Sequence, residues 1–99
     1  MTKADIVQEI SNKTGIDKTD VLTTVEAFMT VVKASLEKGE NVYLRGFGSF
    51  IVKKRAKKLG RNILAKTSVV IPAHYIPAFK PSEEFVEAVK AQVKVVEHA

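Results

Sequence analysis

The chain has 99 residues with 45% hydrophobic and 27% charged residues, no cysteine and a formal net charge of +5. This length and composition predict a single ordinary globular domain, and the lack of cysteine excludes disulfides and thiolate metal sites. No apolar run approaches the ~20 residues that span a bilayer, and the first residues lack the apolar stretch of a signal peptide, so we expect a soluble cytoplasmic protein with no membrane partner.

The first forty residues show the periodicity of two helices. Thr2 is a candidate N-cap with Asp5 as its reciprocal partner, and Gly15 is a candidate stop signal. A second helix is predicted to begin at Asp17 and to end at Gly39, with apolar residues spaced three and four apart. We interpret the pair as a helical hairpin. A DNA-reading helix-turn-helix is disfavoured because the second helix is acidic on its polar face.

The period changes to that of strands from residue 41 onward. Two strands are predicted to meet at a turn over Arg45–Gly48, and the second strand continues into a basic stretch until Gly60–Asn62 interrupts it. A returning strand is expected over residues 68–71, which makes a long hairpin with its tip near 62–66. Pro72 and Pro77 confine this strand to a sheet edge or a bulged ladder, because proline has no N–H to donate.

The last predicted element is a helix that Ser82 caps, with acidic residues in its first turn and an apolar face that extends to Val96. The whole pattern predicts an α+β fold in one domain. Its parts are a helical base over 1–40, a sheet over 41–81 with an arm at about 53–70, and a C-terminal helix over 82–99.

The charges are separated along the chain. No Asp or Glu lies between Asn41 and Ser82. Nine of the 16 basic residues lie in this zone, so the rest of the chain carries seven basic and all 11 acidic residues, a net charge of −4. Such separation causes self-repulsion unless a polyanion relieves it, which indicates a partner. A solvated loop with surplus lysine is the alternative, but strand-like sequence flanks the basic run and favours a projecting hairpin.

No arrangement of residues predicts catalysis or a bound cofactor. His74 and His98 are isolated from other potential metal ligands, and Ser49 lacks a nucleophile motif. Gly46 and Gly48 have no third glycine and no following lysine with Ser or Thr, so they do not form a phosphate loop. We therefore expect a protein that is not an enzyme and has no metal, cofactor or small-molecule substrate.

Four motifs occur together in the chain: RGFGSF at 45–50, GRN at 60–62, IPA at 71–73 and PAFKP at 77–81. They belong to one family pattern that the chain follows without a gap from Thr2 to about Val89. In this combination the chain resembles the HU/IHF family of bacterial histone-like DNA-bending proteins. The resemblance implies two helices beneath a three-stranded antiparallel sheet, and an intertwined homodimer or a heterodimer with a paralogue. It also implies two β-ribbon arms that embrace double-stranded DNA through its minor groove, no cofactor, and a nucleoid-associated location.

The candidate DNA-binding residues combine the basic zone with one lysine near the N-terminus. They are Lys3, Arg45, Lys53, Lys54, Arg55, Lys57, Lys58, Arg61, Asn62, Ile63, Lys66 and Lys80. Basic side chains on a ribbon neutralise phosphates, and Arg61 with Asn62 can also donate to minor-groove acceptors. Ten residues of strand extend roughly 30 Å, which is enough to follow a groove around a duplex. Low sequence specificity with bending and compaction of DNA is the expected outcome.

The chain departs from the family pattern in its arm tip and its C-terminal region. Ile63 stands where the family has a proline wedge, and Lys66 replaces a turn glycine. Isoleucine is an accepted wedge in the minor-groove mechanism known for HU- and IHF-type proteins, so we interpret Ile63 as the wedge rather than as a residue packed on the arm or on the other subunit. Ser82-Glu83 replaces Gly-Lys, which removes one expected phosphate contact, and residues 91–99 extend past the usual end.

An RNA-binding or ribosome-associated protein with a basic hairpin is the main alternative. Its charge pattern would be the same, but RNA readers usually display aromatic stacking platforms, and no aromatic residue lies between Lys53 and Lys66. A module for anionic lipid surfaces would need an amphipathic helix with a cationic face, and no predicted helix has one.

Overall fold

The computed structural model describes residues 1–62 and 67–96. The elements in chain order are α1 (Lys3–Thr14), α2 (Lys18–Glu37), β1 (Val42–Leu44), β2 (Gly48–Arg55), β3 (Lys58–Asn62), β4 (Thr67–Ile71), β5 (His74–Pro81) and α3 (Glu83–Gln92). This order confirms the predicted α+β class, with two N-terminal helices, antiparallel strands and a C-terminal helix.

Helix α1 begins and ends at the predicted residues. The Thr2 hydroxyl accepts from the Asp5 N–H at 3.3 Å, and the Asp5 carboxylate accepts from the Thr2 N–H at 2.9 Å, which completes a capping box. The backbone N–H of Thr2, and secondarily its hydroxyl, stabilise the charged carboxylate and lower the pKa of Asp5. At the other end Gly15 adopts the left-handed conformation (φ 75°) and donates its N–H to the Ser11 carbonyl.

Helix α2 also begins directly after the predicted residue, but without a capping hydrogen bond from its side chain. Asp17 occupies this N-cap position. The helix packs against α1 as the predicted helical hairpin. Val7 of α1 and Val21 and Val32 of α2 are the buried hydrophobic residues of the described chain.

The central sheet has the strand order β1-β2-β5 and is antiparallel throughout. The chain turns over residues 45–47 as predicted, and the Phe47 N–H donates to the Leu44 carbonyl at 3.0 Å. Phe50 in the middle strand pairs with Val42 on one side and with Phe79 on the other. β5 pairs only with β2 among the described strands, which confirms the edge position predicted for the strand that contains Pro77.

The two-stranded sheet β3-β4 continues the β2-β5 pairing outward. The two residue numbers of every pair add up to 129 in both ladders, for example Arg55 with His74 and Lys58 with Ile71. Strands β2 to β5 therefore form one hairpin without a register shift, interrupted only over residues 56–57 and 72–73. We call its outer part, residues 53–62 and 67–76, the arm.

The predicted interruption of the arm at Gly60–Asn62 is wrong. Strand β3 runs through these residues to Asn62, and the break lies at Ala56 and Lys57. The register places Lys57 opposite Pro72, which has no N–H to contribute to a ladder, so the pairing stops there. The predicted tip residues 63–66 lie outside the described residues.

Helix α3 is anchored to the sheet through its cap and one aromatic side chain. Ser82 Oγ accepts from the Phe85 N–H at 3.2 Å, which confirms the predicted cap. The Phe85 ring lies 5.6 Å from Phe47 and 6.4 Å from Phe79, centroid to centroid. The helix ends at Gln92, so the prediction of a helix extending to Val96 is wrong. The valine-rich segment beyond it is exposed, and β-branched residues without packing partners do not sustain a helix.

Candidate nucleic-acid interface

The arm presents its predicted cations on one edge of the hairpin. Lys53, Lys54 and Arg55 end β2, Lys57 lies in the break, and Lys58 begins β3; all five are exposed. Because successive strand residues point to opposite faces, Lys53 and Arg55 share one face and Lys54 lies on the other. The cations therefore lie on both faces of one edge of the arm.

These arm cations have no acidic partner in the described part of the chain. The ion pairs among residues 1–62 and 67–96 are Lys3 with Glu26 and Lys90 with Glu87. Directly opposite the three cations of β2 lie Ile76, Tyr75 and His74, none of which carries a negative charge. Their charge is therefore available to an external anion.

The GRN motif lies far out on the arm. The backbone of Arg61 pairs with Ser68 and that of Asn62 with Thr67, at the distal end of the ribbon. Arg61 lies eight positions after Lys53, which corresponds to about 26 Å along a strand. The predicted site residues Ile63 and Lys66 lie outside the described residues.

Arg45 and Lys80 form a second basic cluster at the opposite end of β2. Arg45 lies in the turn after β1, and Lys80 pairs across the sheet with Ser49. Both line an open groove of about 460 Å³, which we call the turn groove; it also includes Tyr43, Ser49, Ser82 and Glu83. From Gly48 at the groove to Arg55 at the arm is seven residues, or about 23 Å of strand.

Lys3 lies apart from both clusters in the helical base. Its Nζ is 3.4 Å from Oε1 of Glu26 on α2, and it shares a shallow pocket with Lys18. Lys3 is not among the residues that line the turn groove. The structure thus divides the predicted site residues into an arm set, a turn-groove pair and one lysine on the helices.

Register reveals neighbours of the basic residues that the linear sequence did not indicate. His74 lies directly opposite Arg55, with its Nδ1 2.9 Å from the Pro72 carbonyl oxygen, and Tyr75 lies opposite Lys54 with 66% of its surface exposed. The register that places Pro72 opposite Lys57 also places His74 and Tyr75 opposite the cations. Recognising that register in the sequence would have predicted both neighbours.

The described residues contain little that could perform chemistry. They hold no group of three His, Cys, Asp or Glu side chains placed to bind a metal. No helix within residues 1–62 and 67–96 has the length and apolarity to cross a membrane. The exposed basic surfaces are suited to binding a polyanion through charge.

Comparisons with known proteins show that the chain is similar to bacterial DNA-binding proteins. The family model described as "Bacterial DNA-binding protein" matches residues 1–90. DNA-binding protein HU of Thermus thermophilus is 40% identical over 90 residues, covering 91% of this chain and 93% of that protein. The integration host factor alpha subunit of an Anaeromyxobacter species is 34% identical, covering 94% of this chain and 82% of that protein.

A solved structure extends the similarity to the fold. A chain of the Anabaena HU–DNA cocrystal superposes with a TM-score of 0.87 at 30% identity, covering 91% of this chain and 98% of that chain. The resemblance drawn from the four sequence motifs is confirmed, and so is the prediction that the protein is not an enzyme. The chain belongs to the bacterial DNA-binding protein family of HU and integration host factor.

Proposed function

We propose that this protein binds double-stranded DNA as a non-catalytic architectural protein. The observation that supports this most directly is the arm, where five exposed cations lie along one edge of the projecting hairpin and none is paired with an acid in the described residues. Phosphates are the ligands that such a strand attracts, and neutralising them releases counterions. The Anabaena relative with the same fold was crystallised with DNA.

The mode of binding follows from the shape of the arm. A two-stranded ribbon can enter the minor groove, where Arg61 and Asn62 at its far end would meet base-edge acceptors. Most contacts would go to phosphates, so sequence specificity is low and deformable DNA is preferred. We propose that Ile63 inserts between base pairs, and that bending by many such proteins compacts the DNA.

The functional unit in this proposal is a dimer. Val7, Val21 and Val32 are the buried hydrophobic residues among those described, whereas Phe28 and Met29 of α2 are 45% and 41% exposed. A second subunit would cover these side chains. A homodimer is the simplest form and a heterodimer with a paralogue is the alternative. A location in the cytoplasm on the nucleoid follows from the proposed ligand.

The experiment compares salt dependence in two matched triple variants. With ~6–10 phosphate contacts, binding to linear duplex DNA should weaken by roughly 10³–10⁵ between about 50 and 200 mM salt. Replacing Lys53, Arg55 and Lys58 with Ala should flatten the slope by up to about five, since each lost contact accounts for about 0.9 in each subunit. Fluorescence anisotropy at several salt concentrations measures both slopes.

The control variant replaces Lys13, Lys33 and Lys38 of the helical base with Ala, which removes the same amount of positive charge. Its slope should stay close to that of the wild type, and circular dichroism should show both variants folded. Equal slopes in the two triple variants would place the DNA elsewhere. Stronger competition by duplex RNA than by duplex, nicked or four-way-junction DNA would favour the RNA-binding alternative.

A further inference from the structure

The turn groove contains an acidic side chain beside its two cations. Glu83 lines the same open surface as Arg45 and Lys80. Glu84 lies close by, because a Cβ built on Gly46 would be 3.9 Å from its Oε2. Two carboxylates therefore adjoin a surface that otherwise presents two positive charges.

The first turn of α3 is held in this position by several contacts. Ser82 Oγ donates to the Gly46 carbonyl at 3.0 Å, and the Ser82 N–H donates to the Phe47 carbonyl at 2.9 Å. The Phe85 ring stacks on Phe47 with an interplanar angle of 18°. Glu83 follows Ser82 directly, so its backbone cannot move away from the turn without breaking these contacts.

The carboxylates do not neutralise the cations by direct contact. Neither Arg45 nor Lys80 has a carboxylate oxygen within 4.0 Å, since the ion pairs of the described residues lie elsewhere. A phosphate that approached the two cations would therefore also meet the negative charge of Glu83. In water two like charges at about 4 Å repel by about 1 kcal/mol, which corresponds to about a fivefold loss of affinity.

We propose that Glu83 weakens the contact between DNA and the turn groove, so that the arm holds the duplex and the flanking DNA is held loosely. This inference rests on the proposed function and concerns the length of DNA that the same protein binds. The groove lies about 23 Å of strand from the arm, which equals about seven base pairs at 3.4 Å each. Only a duplex longer than the arm footprint meets the groove.

The test compares Glu83→Gln with Glu87→Gln on two duplex lengths. Glu87 lies on the same helix, is exposed, pairs with Lys90 and does not line the turn groove, so its change alters the net charge equally. On a duplex of about 40 base pairs, Glu83→Gln should bind about threefold to tenfold more tightly than wild type, with a steeper salt slope. On a duplex of about 12 base pairs, centred on the arm contacts, it should match Glu87→Gln.

Equal affinities of Glu83→Gln and Glu87→Gln on the long duplex would overturn the inference, as would a gain of the same size on the short one. Thermal melting checks that both variants fold, and Glu84→Gln provides a second change beside the groove, for which a smaller gain in the same direction is expected. The proposed function fails separately: in that case wild type would show no salt-dependent DNA binding and the arm variant no loss. If wild type binds and the arm variant weakens, the comparison of the glutamates tests this inference alone.

Discussion

At the scale of single residues, Gly48 shows why one position of the turn has no side chain. It is the buried first residue of β2, where the turn and β5 meet the aromatic cluster of Phe47, Phe50, Phe79 and Phe85. A Cβ at this position would lie 2.6 Å from the Lys80 carbonyl oxygen and 2.6 Å from Cζ of Phe79. The glycine therefore allows a close approach of backbone and ring that any other residue would prevent.

Gly48→Ala should destabilise the protein by about 1–3 kcal/mol, because the new methyl group must displace backbone as well as a packed ring. Denaturant unfolding at one fixed protein concentration measures this change. Gly60→Ala is the matched control, since its nearest neighbour would be the flexible end of Ile71 at 3.3 Å and its cost should be well below that of Gly48→Ala. Wild-type stability in Gly48→Ala would show that the turn relaxes freely.

At the scale of elements, the arm depends on pairing between strands rather than on local propensity. Its constant register survives the break opposite Pro72, so the distal ribbon stays aligned with the sheet below it. Leu59 and Val70 face each other across this ribbon and are 71% and 52% exposed. In the proposed DNA complex this exposed apolar pair would face the sugars that line the groove.

Ile63→Ala should reduce the angle by which the protein bends DNA, while most of the phosphate-driven affinity for linear DNA remains. Unstacking costs a few kcal/mol per step, so loss of the wedge should also erode the preference for nicked DNA, where this cost is partly met. Fluorescence transfer across a short duplex measures the bend. Leu64→Ala is the control with the same change one residue along. Equal bend angles and equal nick preference in wild type and Ile63→Ala would exclude Ile63 as the wedge.

At the scale of the whole molecule, one chain does not close a core. The Cα radius of gyration is 19.4 Å, whereas a compact domain of about 100 residues has about 13 Å. Phe47 and Phe79 take part in the aromatic cluster yet remain 46% and 38% exposed. The projecting arm accounts for part of the large radius, and in the proposed dimer the second subunit covers the exposed aromatic rings.

The melting temperature should rise with protein concentration, because folding and association are coupled when no stable folded monomer exists. Calorimetry over a hundredfold range of concentration and sedimentation equilibrium measure this together. The arm triple variant serves as control and should show the same concentration dependence, since its substitutions are in solvent. A folded monomer at micromolar concentration would contradict the dimer.

Local signals in the sequence were sufficient for the helix caps at Thr2 and Ser82, the stop at Gly15, the turn over residues 45–47 and the cationic strand of the arm. Each of these depends on residues within a few positions of one another, where side-chain hydrogen bonds and charge act directly. The sequence therefore predicts the candidate site as a basic zone, although without its division into an arm and a turn groove.

The tertiary structure decided the features that depend on distant segments. Pro72 stops pairing at Lys57 because of the strand register, which local propensity at Gly60 does not reveal. Helix α3 ends at Gln92 because the valines beyond it have no surface to pack on. Glu83 adjoins Arg45 because the Ser82 hydroxyl bonds to Gly46, 36 residues earlier. Contacts at such separations arise from packing and hydrogen bonding in three dimensions, and a local pattern of residues does not contain them.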